Sequence, residues 1–339
     1  MKKLIDMISI HQTGSDPRAG VLRTCLQWGG LDLPLSYAFG LGCGYGFNYR
    51  HPGDREVQAT KLPAFHVVGN NLHFVEDFCA NLGMGIIYDC ASRLEDLRSG
   101  ILNHLRQNKP VLVSVNYKLY FKVIRERFDD YILQDQYEPD MGEIKLLALS
   151  YRPETKEFVF LDGLQDQPVV LEEDLLKKLG KGEDDSAEYQ WQSLELPRKF
   201  YELTLATRWA IAKTAWKMTA SSLATQGLPA LLRFITVLKE EGLAKTDLER
   251  LLFFSGYAQQ EGFYRKSFGE FLYKAAEYLK EETLAEVAAK FMETADRWQL
   301  VMFDLTHGRL DKRVLADIYC SEVELSEALF GFGEKWGCL

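Results

Sequence analysis

The sequence predicts an α+β domain over residues 1–200 joined to an all-helical domain over residues 201–339. Three observations carry this. Helix-period stretches come first, and β-rich runs then gather between residues 110 and 196, the order expected of an antiparallel sheet rather than of βαβ repeats. Beyond residue 200 every apolar pattern has the helical period. The chain has 339 residues, 47% hydrophobic and 26% charged, enough for two cores at roughly 150 residues per domain.

The first helix starts at Asp16-Pro17. Asp16 can accept the free backbone N–H groups as N-cap, and Pro17 suits the first helical position because its missing N–H costs nothing there. Val21, Leu22, Cys25, Leu26 and Trp28 form its apolar stripe, and Gly29-Gly30 ends it. A glycine-rich stretch follows, Phe39-Gly40-Leu41-Gly42-Cys43-Gly44-Tyr45-Gly46-Phe47-Asn48-Tyr49, where the backbone can pass close to something else. Residues 72–82 and 92–107 read as helices. Strands follow at 110–116 and 130–134, then 144–151 and 157–162 as a hairpin across Arg152-Pro153-Glu154-Thr155-Lys156, and last 189–196. The second domain reads as helices at 203–225, 228–241, 246–260, 264–282, 284–304 and 321–330, with Gly227, Gly242 and Gly308 as punctuation.

Composition excludes several classes. No apolar run reaches the length of a membrane span, and Asp6 interrupts the N-terminus before an export signal could form, so a cytoplasmic protein without membrane insertion is expected. Forty basic residues against 49 acidic give a net charge of −9 and no basic stripe, so no nucleic-acid partner is expected. An acidic chain favours encounters with cations such as polyamines and aminosugars. The six cysteines (25, 43, 79, 90, 320, 338) show no CxxC spacing and no disulfide scaffold. The six histidines form no HExxH, so no metal is expected. Gly40 and Gly42 lack the third glycine of a dinucleotide fingerprint, Tyr45 standing in its place, and no other cofactor is indicated.

Two stretches together resemble a known family. The first runs Gly14-Ser15-Asp16-Pro17-Arg18-Ala19-Gly20-Val21-Leu22-Arg23, Trp28-Gly29-Gly30-Leu31, Phe39-Gly40-Leu41-Gly42 and Gly46-Phe47-Asn48-Tyr49. The second is Gly262-Phe263-Tyr264-Arg265-Lys266 with Phe268-Gly269-Glu270-Phe271-Leu272-Tyr273-Lys274-Ala275-Ala276. In order and spacing they are similar to the butirosin-biosynthesis acyltransferase H family. The resemblance implies a papain-like N-terminal domain and a helical companion of unassigned role. It also implies a mechanism. A cysteine at the start of the first helix attacks an acyl thioester on a carrier protein. A strand histidine takes its proton, an Asp or Asn orients the histidine, and an amine on a sugar or polyamine receives the acyl group. A helix N-terminus and a nearby imidazolium both stabilise a thiolate.

Carried over by position, the nucleophile falls on Pro17, thirteen residues before Gly30, and the histidine falls on Glu143 or Ile144. Asp162 matches the orienting carboxylate. Two obligate groups are therefore missing, and the expectation is a degenerate, catalytically silent relative: a partner or ligand-binding subunit in secondary-metabolite biosynthesis. The alternative is an active amide-forming acyltransferase with a rearranged nucleophile. Ser15, with His11 nearby in sequence, Cys25 on the apolar stripe, and Cys43, with His51 eight residues on, are the substitutes. The blander readings are a loop cap for Ser15, a core residue for Cys25 and bystanders for Cys43 and His51. Asp16, Pro17, Tyr37, Asn116, Tyr117 and Glu143 are the expected cleft. Tyr117, Tyr120 and Phe121 either wall it or pack under the sheet.

Partners implied are an acyl carrier protein, a cationic amine, and a second copy or an active homologue. Residues 125–130 and 183–188 read as solvated turns. Arg265 and Glu270 read as inter-domain polar contacts. Trp209 and Trp216, one heptad apart, read as core or interface.

Overall fold

In a computed structural model the described residues are 3–51, 66–127, 143–181, 188–220, 224–240, 242 and 261–339. The expected strand 130–134 and helix 246–260 lie outside them, as do 128–130 and 183–187 of the two expected turns. The chain divides into two compact units, one of residues 1–38 and 83–200, the other of residues 39–82 and 201–339.

The first unit holds a six-stranded antiparallel sheet in the order β3-β8-β4-β5-β6-β7. The strands are β3 (Gly85–Ala91), β4 (Val111–Asn116), β5 (Glu143–Arg152), β6 (Glu157–Leu161), β7 (Val169–Glu172) and β8 (Tyr189–Glu195). Register places Asn116 opposite Glu143 and Leu147 opposite Leu161, with a bulge between Ala148 and Ser150. The β5–β6 hairpin turns where the sequence predicts it, with Lys156 in the left-handed region at the tip (φ 54°). Helix α1 (Pro17–Trp28) begins as read: Asp16 caps it by accepting Arg18 N–H at 2.9 Å, and Pro17 is its first residue. Leu22, Cys25 and Leu26 are wholly buried, and α1 packs on β5. Helices α4 (Leu94–Arg106), α5 (Tyr117–Arg127) and α6 (Glu173–Lys181) complete this unit, with a short 3₁₀ turn at Leu4–Ile10.

The second unit carries β1 (Tyr45–Arg50) paired antiparallel with β2 (His66–Asn70), and α3 (Phe74–Leu82), α7 (Leu203–Thr219), α8 (Gly227–Glu240), α9 (Arg265–Leu279), α10 (Glu282–Thr306) and α11 (Lys312–Lys335). The region beyond residue 200 is helical among the described residues. A single cut at residue 200 does not follow the contacts, because residues 39–82 pack with the helices. The glycines explain it. The stretch 39–49 is the end of helix α2 (Leu35–Leu41) and then β1, and a Cβ at Gly40 would meet the Phe271 ring, at Gly42 the Phe74 ring, and at Gly46 the Asn70 carbonyl.

At the centre of this unit Arg265 and Glu322 form an ion pair with both side chains at 0% exposure, Nε to Oε1 at 2.7 Å. Arg265 also donates to the carbonyls of Gly46, Gly69 and Phe263, and stacks on Tyr45 at 4.7 Å. Glu322 accepts from Tyr45 Oη at 2.5 Å and Trp298 Nε1 at 2.8 Å. Arg265 is thus a core residue of this unit, and its bonds to Gly46 and Gly69 join residues 39–82 to the helices beyond residue 200. Trp209 and Trp216, read as core or interface, are 36% and 52% exposed.

Candidate functional site

The start of α1 is where a nucleophile would gain most from the helix dipole. Asp16 is buried there and is occupied by Arg18, whose Nη2 lies 2.6 Å and Nε 3.0 Å from its two oxygens. Pro17 offers neither a donor nor a reactive atom. The backbone of Gly163 lies directly against that of Pro17, and a Cβ at residue 163 would overlap Pro17 O and Cα. The turn after β6 is therefore seated on the helix N-terminus.

That turn begins with Asp162, which is wholly buried. Its Oδ1 accepts Leu164 N–H and Gln165 N–H, both at 2.8 Å, and its Oδ2 accepts Tyr120 Oη and Gln165 Nε2. Burial raises the Asp162 pKa; the Tyr120 and backbone hydrogen bonds and the neighbouring His11 work against that rise. His11 contacts not the carboxylate but the Asp162 carbonyl, from Nε2 at 2.7 Å, so this nitrogen must carry the proton. Its Nδ1 lies 2.8 Å from Thr24 Oγ1 on α1. Both ring nitrogens are engaged, and neither serves Ser15. Asp162 thus fastens α1, α5 and its own turn together, a role that two-residue spacing rules cannot reveal because its partners lie 42 and 151 positions away.

The other expected site residues are scattered among structural tasks. Ser15 is half-buried just before α1. Glu143 is exposed, with Lys145 Nζ 3.5 Å away, and Ile144 is buried. Asn116 caps α5 by accepting Leu119 N–H at 3.0 Å. Tyr37, Tyr117, Tyr120 and Phe121 are buried, and Tyr117 stacks on Phe121 at 5.9 Å, so this cluster packs rather than lining an open wall.

Cys43, weighed above as a substitute nucleophile or a bystander, lies in the turn between α2 and β1 (φ 52°) and is fully buried there. Its thiol donates to Ala210 O at 3.6 Å and receives Asn81 Nδ2 at 3.6 Å; His51 is not among its partners. Burial, with the nearby Asp77 carboxylate, pushes its pKa up to about 11. A thiol held there is not a thiolate at neutral pH. Cys25 is buried within α1.

Among the described residues no group of three His, Cys, Asp or Glu could hold a metal ion, and no helix is long and apolar enough to cross a membrane.

No curated protein matches the sequence. Residues 16–133, from the α1 cap past the end of α5, match the family model described as butirosin biosynthesis protein H, N-terminal. The second motif stretch, around Arg265, lies beyond that match, yet it meets Gly46 and Phe47 of the first in one core. Over residues 16–133, about a third of its length, the chain is similar to the butirosin biosynthesis protein H N-terminal family.

Proposed function

We propose that this protein is a catalytically silent relative of carrier-protein-dependent acyltransferases, on a papain-like layout, acting as a partner or ligand-binding subunit in secondary-metabolite biosynthesis. The observation that carries the reading is Pro17 as the first residue of α1 with the Gly163 backbone seated on it. The position offers the helix dipole to a nucleophile and holds none. The carboxylate that would orient a base is spent on Tyr120, Leu164 and Gln165 instead. In a serine protease with such a triad, losing the nucleophile alone costs about a millionfold in kcat.

An acyl carrier protein, a cationic amine or an intact homologue bearing both cysteine and histidine is the partner this reading implies. The test is an amide-forming assay with S-acetyl-N-acetylcysteamine as donor and spermidine or glucosamine as acceptor. The expected rate equals the protein-free background. Turnover above it, proportional to protein concentration, overturns the reading.

A further inference from the structure

A cavity of about 280 Å³ opens in the second unit, far from Pro17 in sequence, where β1 and β2 meet the end of α7 and the start of α8. Its wall includes Trp216, Lys217, Asn48, His73 and Gln226. Nothing in the acyltransferase reading uses it.

The charge around it is uneven. Asp77, buried on α3, is held by two ammonium groups, Lys213 at 2.7 Å and Lys217. One carboxylate between two lysines leaves a surplus positive charge. Burial opposes ionisation of Asp77, but the hydrogen bonds from Lys213 and Lys217 outweigh it and hold its pKa low. An ammonium has three N–H donors. Lys217 gives one to Asp77 and one to Asn71 Oδ1 at 3.1 Å. Its third has no acceptor among the described residues, and Lys217 lines the cavity. The N-terminal turns of α3, just after His73, and of α8, at Gly227, border the same space and favour negative charge. The last turn of α7 is there too; its Trp216 carbonyl is bonded to Ala220 N–H at 2.8 Å, and its Lys217 and Met218 carbonyls lie against Gly227.

A second kind of group is also waiting. Asn48 is 7% exposed, and its Nδ2 is given to Asn70 O at 2.6 Å. Its Oδ1 accepts no hydrogen bond from the described residues, so it calls for a donor such as a hydroxyl. Trp216, half exposed, lines the cavity and supplies an indole, a side chain able to stack on a sugar ring and to donate its N–H. The volume is below the roughly 300–1,000 Å³ typical of drug-sized ligands.

From this combination we infer that the cavity binds a monosaccharide-sized polyol carrying one phosphate or carboxylate. The anionic group sits on Lys217 and the two helix N-termini, a hydroxyl donates to Asn48 Oδ1, and the ring lies on Trp216.

The test is calorimetric titration of the full chain with glucose-6-phosphate and gluconate. Glucose, inorganic phosphate and adenosine monophosphate are the comparison probes. The expected result is saturable binding of at least one of the first two, tighter than glucose or inorganic phosphate. Lys217→Met and Trp216→Ala should each weaken it at least tenfold. Lys217→Met leaves Lys213 on Asp77, and Trp216→Ala alters an exposed position, so both variants are expected to keep the fold, checked by thermal unfolding. Four results overturn the inference: no binding of either sugar anion, binding unchanged in both variants, inorganic phosphate binding as tightly as the sugar anion, or adenosine monophosphate binding more tightly than both.

Discussion

Arg265 and Glu322, 57 positions apart, meet in the core of the second unit with every polar atom of the pair in use. Glu322 answers one cation with two further donors, Tyr45 and Trp298, and Arg265 turns its Nη1 to three carbonyls. A buried pair satisfied in this way costs little to keep and much to break. Arg265→Ala strands a buried carboxylate. It should lower the unfolding free energy by about 3–5 kcal/mol, read by urea denaturation. A loss below about 1 kcal/mol, the size of an exposed pair, would show that the pair is solvated.

The seat of Gly163 on Pro17 makes a second prediction. Gly163→Ala forces backbone against backbone with no flexible side chain to yield, and should cost about 1–3 kcal/mol. Gly331→Ala is the contrast. That glycine lies in α11 with nothing within 4 Å of an added Cβ, and the substitution should stabilise by about 0.5–1 kcal/mol through helix propensity. Equal effects at the two sites in thermal melts would refute the close approach.

Asp162 links stability to pH. Its carboxyl, with an ordinary value of 3.8, is raised in the folded protein, mainly by burial. The folded state therefore holds this proton at pH values where the unfolded chain has lost it. Its contribution is complete below 3.8 and is lost as pH rises through the higher folded value. Asp77, held low by its lysines, acts in the opposite direction, so the test is a difference. The stability of the parent protein minus that of Asp162→Asn should grow as pH falls from 7 towards 4. A flat or falling difference contradicts the assignment.

Thiol labelling separates buried from open cysteines. Cys43 and Cys79 are buried, and burial raises their pKa values to about 11 and about 12. Cys90 and Cys320 are exposed, though a hydrogen bond to Glu188 raises Cys90. In the native protein at pH 7.5 a water-soluble maleimide should modify Cys320 first and Cys90 next. Cys43 and Cys79 should react only after denaturant is added. Labelling of Cys43 at the rate of Cys320 would reopen it as a nucleophile.

Local signals in the sequence reached the elements that local rules determine. Asp16-Pro17 marks the start of α1 to the residue, because capping and proline chemistry act within one turn. Val111-Leu112-Val113 and the hairpin about Arg152–Lys156 are legible for the same reason. Strand β3 is not: Gly85–Ala91 is an edge strand, largely half-exposed or exposed, and lacks a sustained apolar alternation. Helix α5 is hidden because Tyr117, Tyr120 and Phe121 read equally as a pocket wall. The glycine-rich run 39–49 signals a close approach but not its partners, which are Phe271, Phe74 and the Asn70 backbone. Pro17, in the place the resemblance gives to a nucleophile, is readable at one position. The roles of Asp162, Glu322 and Lys217 depend on partners as far as 277 residues away, and no periodicity encodes those.

The central claim is that no side chain of this protein takes up an acyl group from a thioester. Its most direct test is the intact mass of a Cys90→Ser, Cys320→Ser, Cys338→Ser variant, which lacks the accessible thiols, after incubation with excess S-acetyl-N-acetylcysteamine at neutral pH. The predicted result is an unchanged mass. A stoichiometric acetyl adduct that maps to Ser15, Cys25 or Cys43 would contradict it.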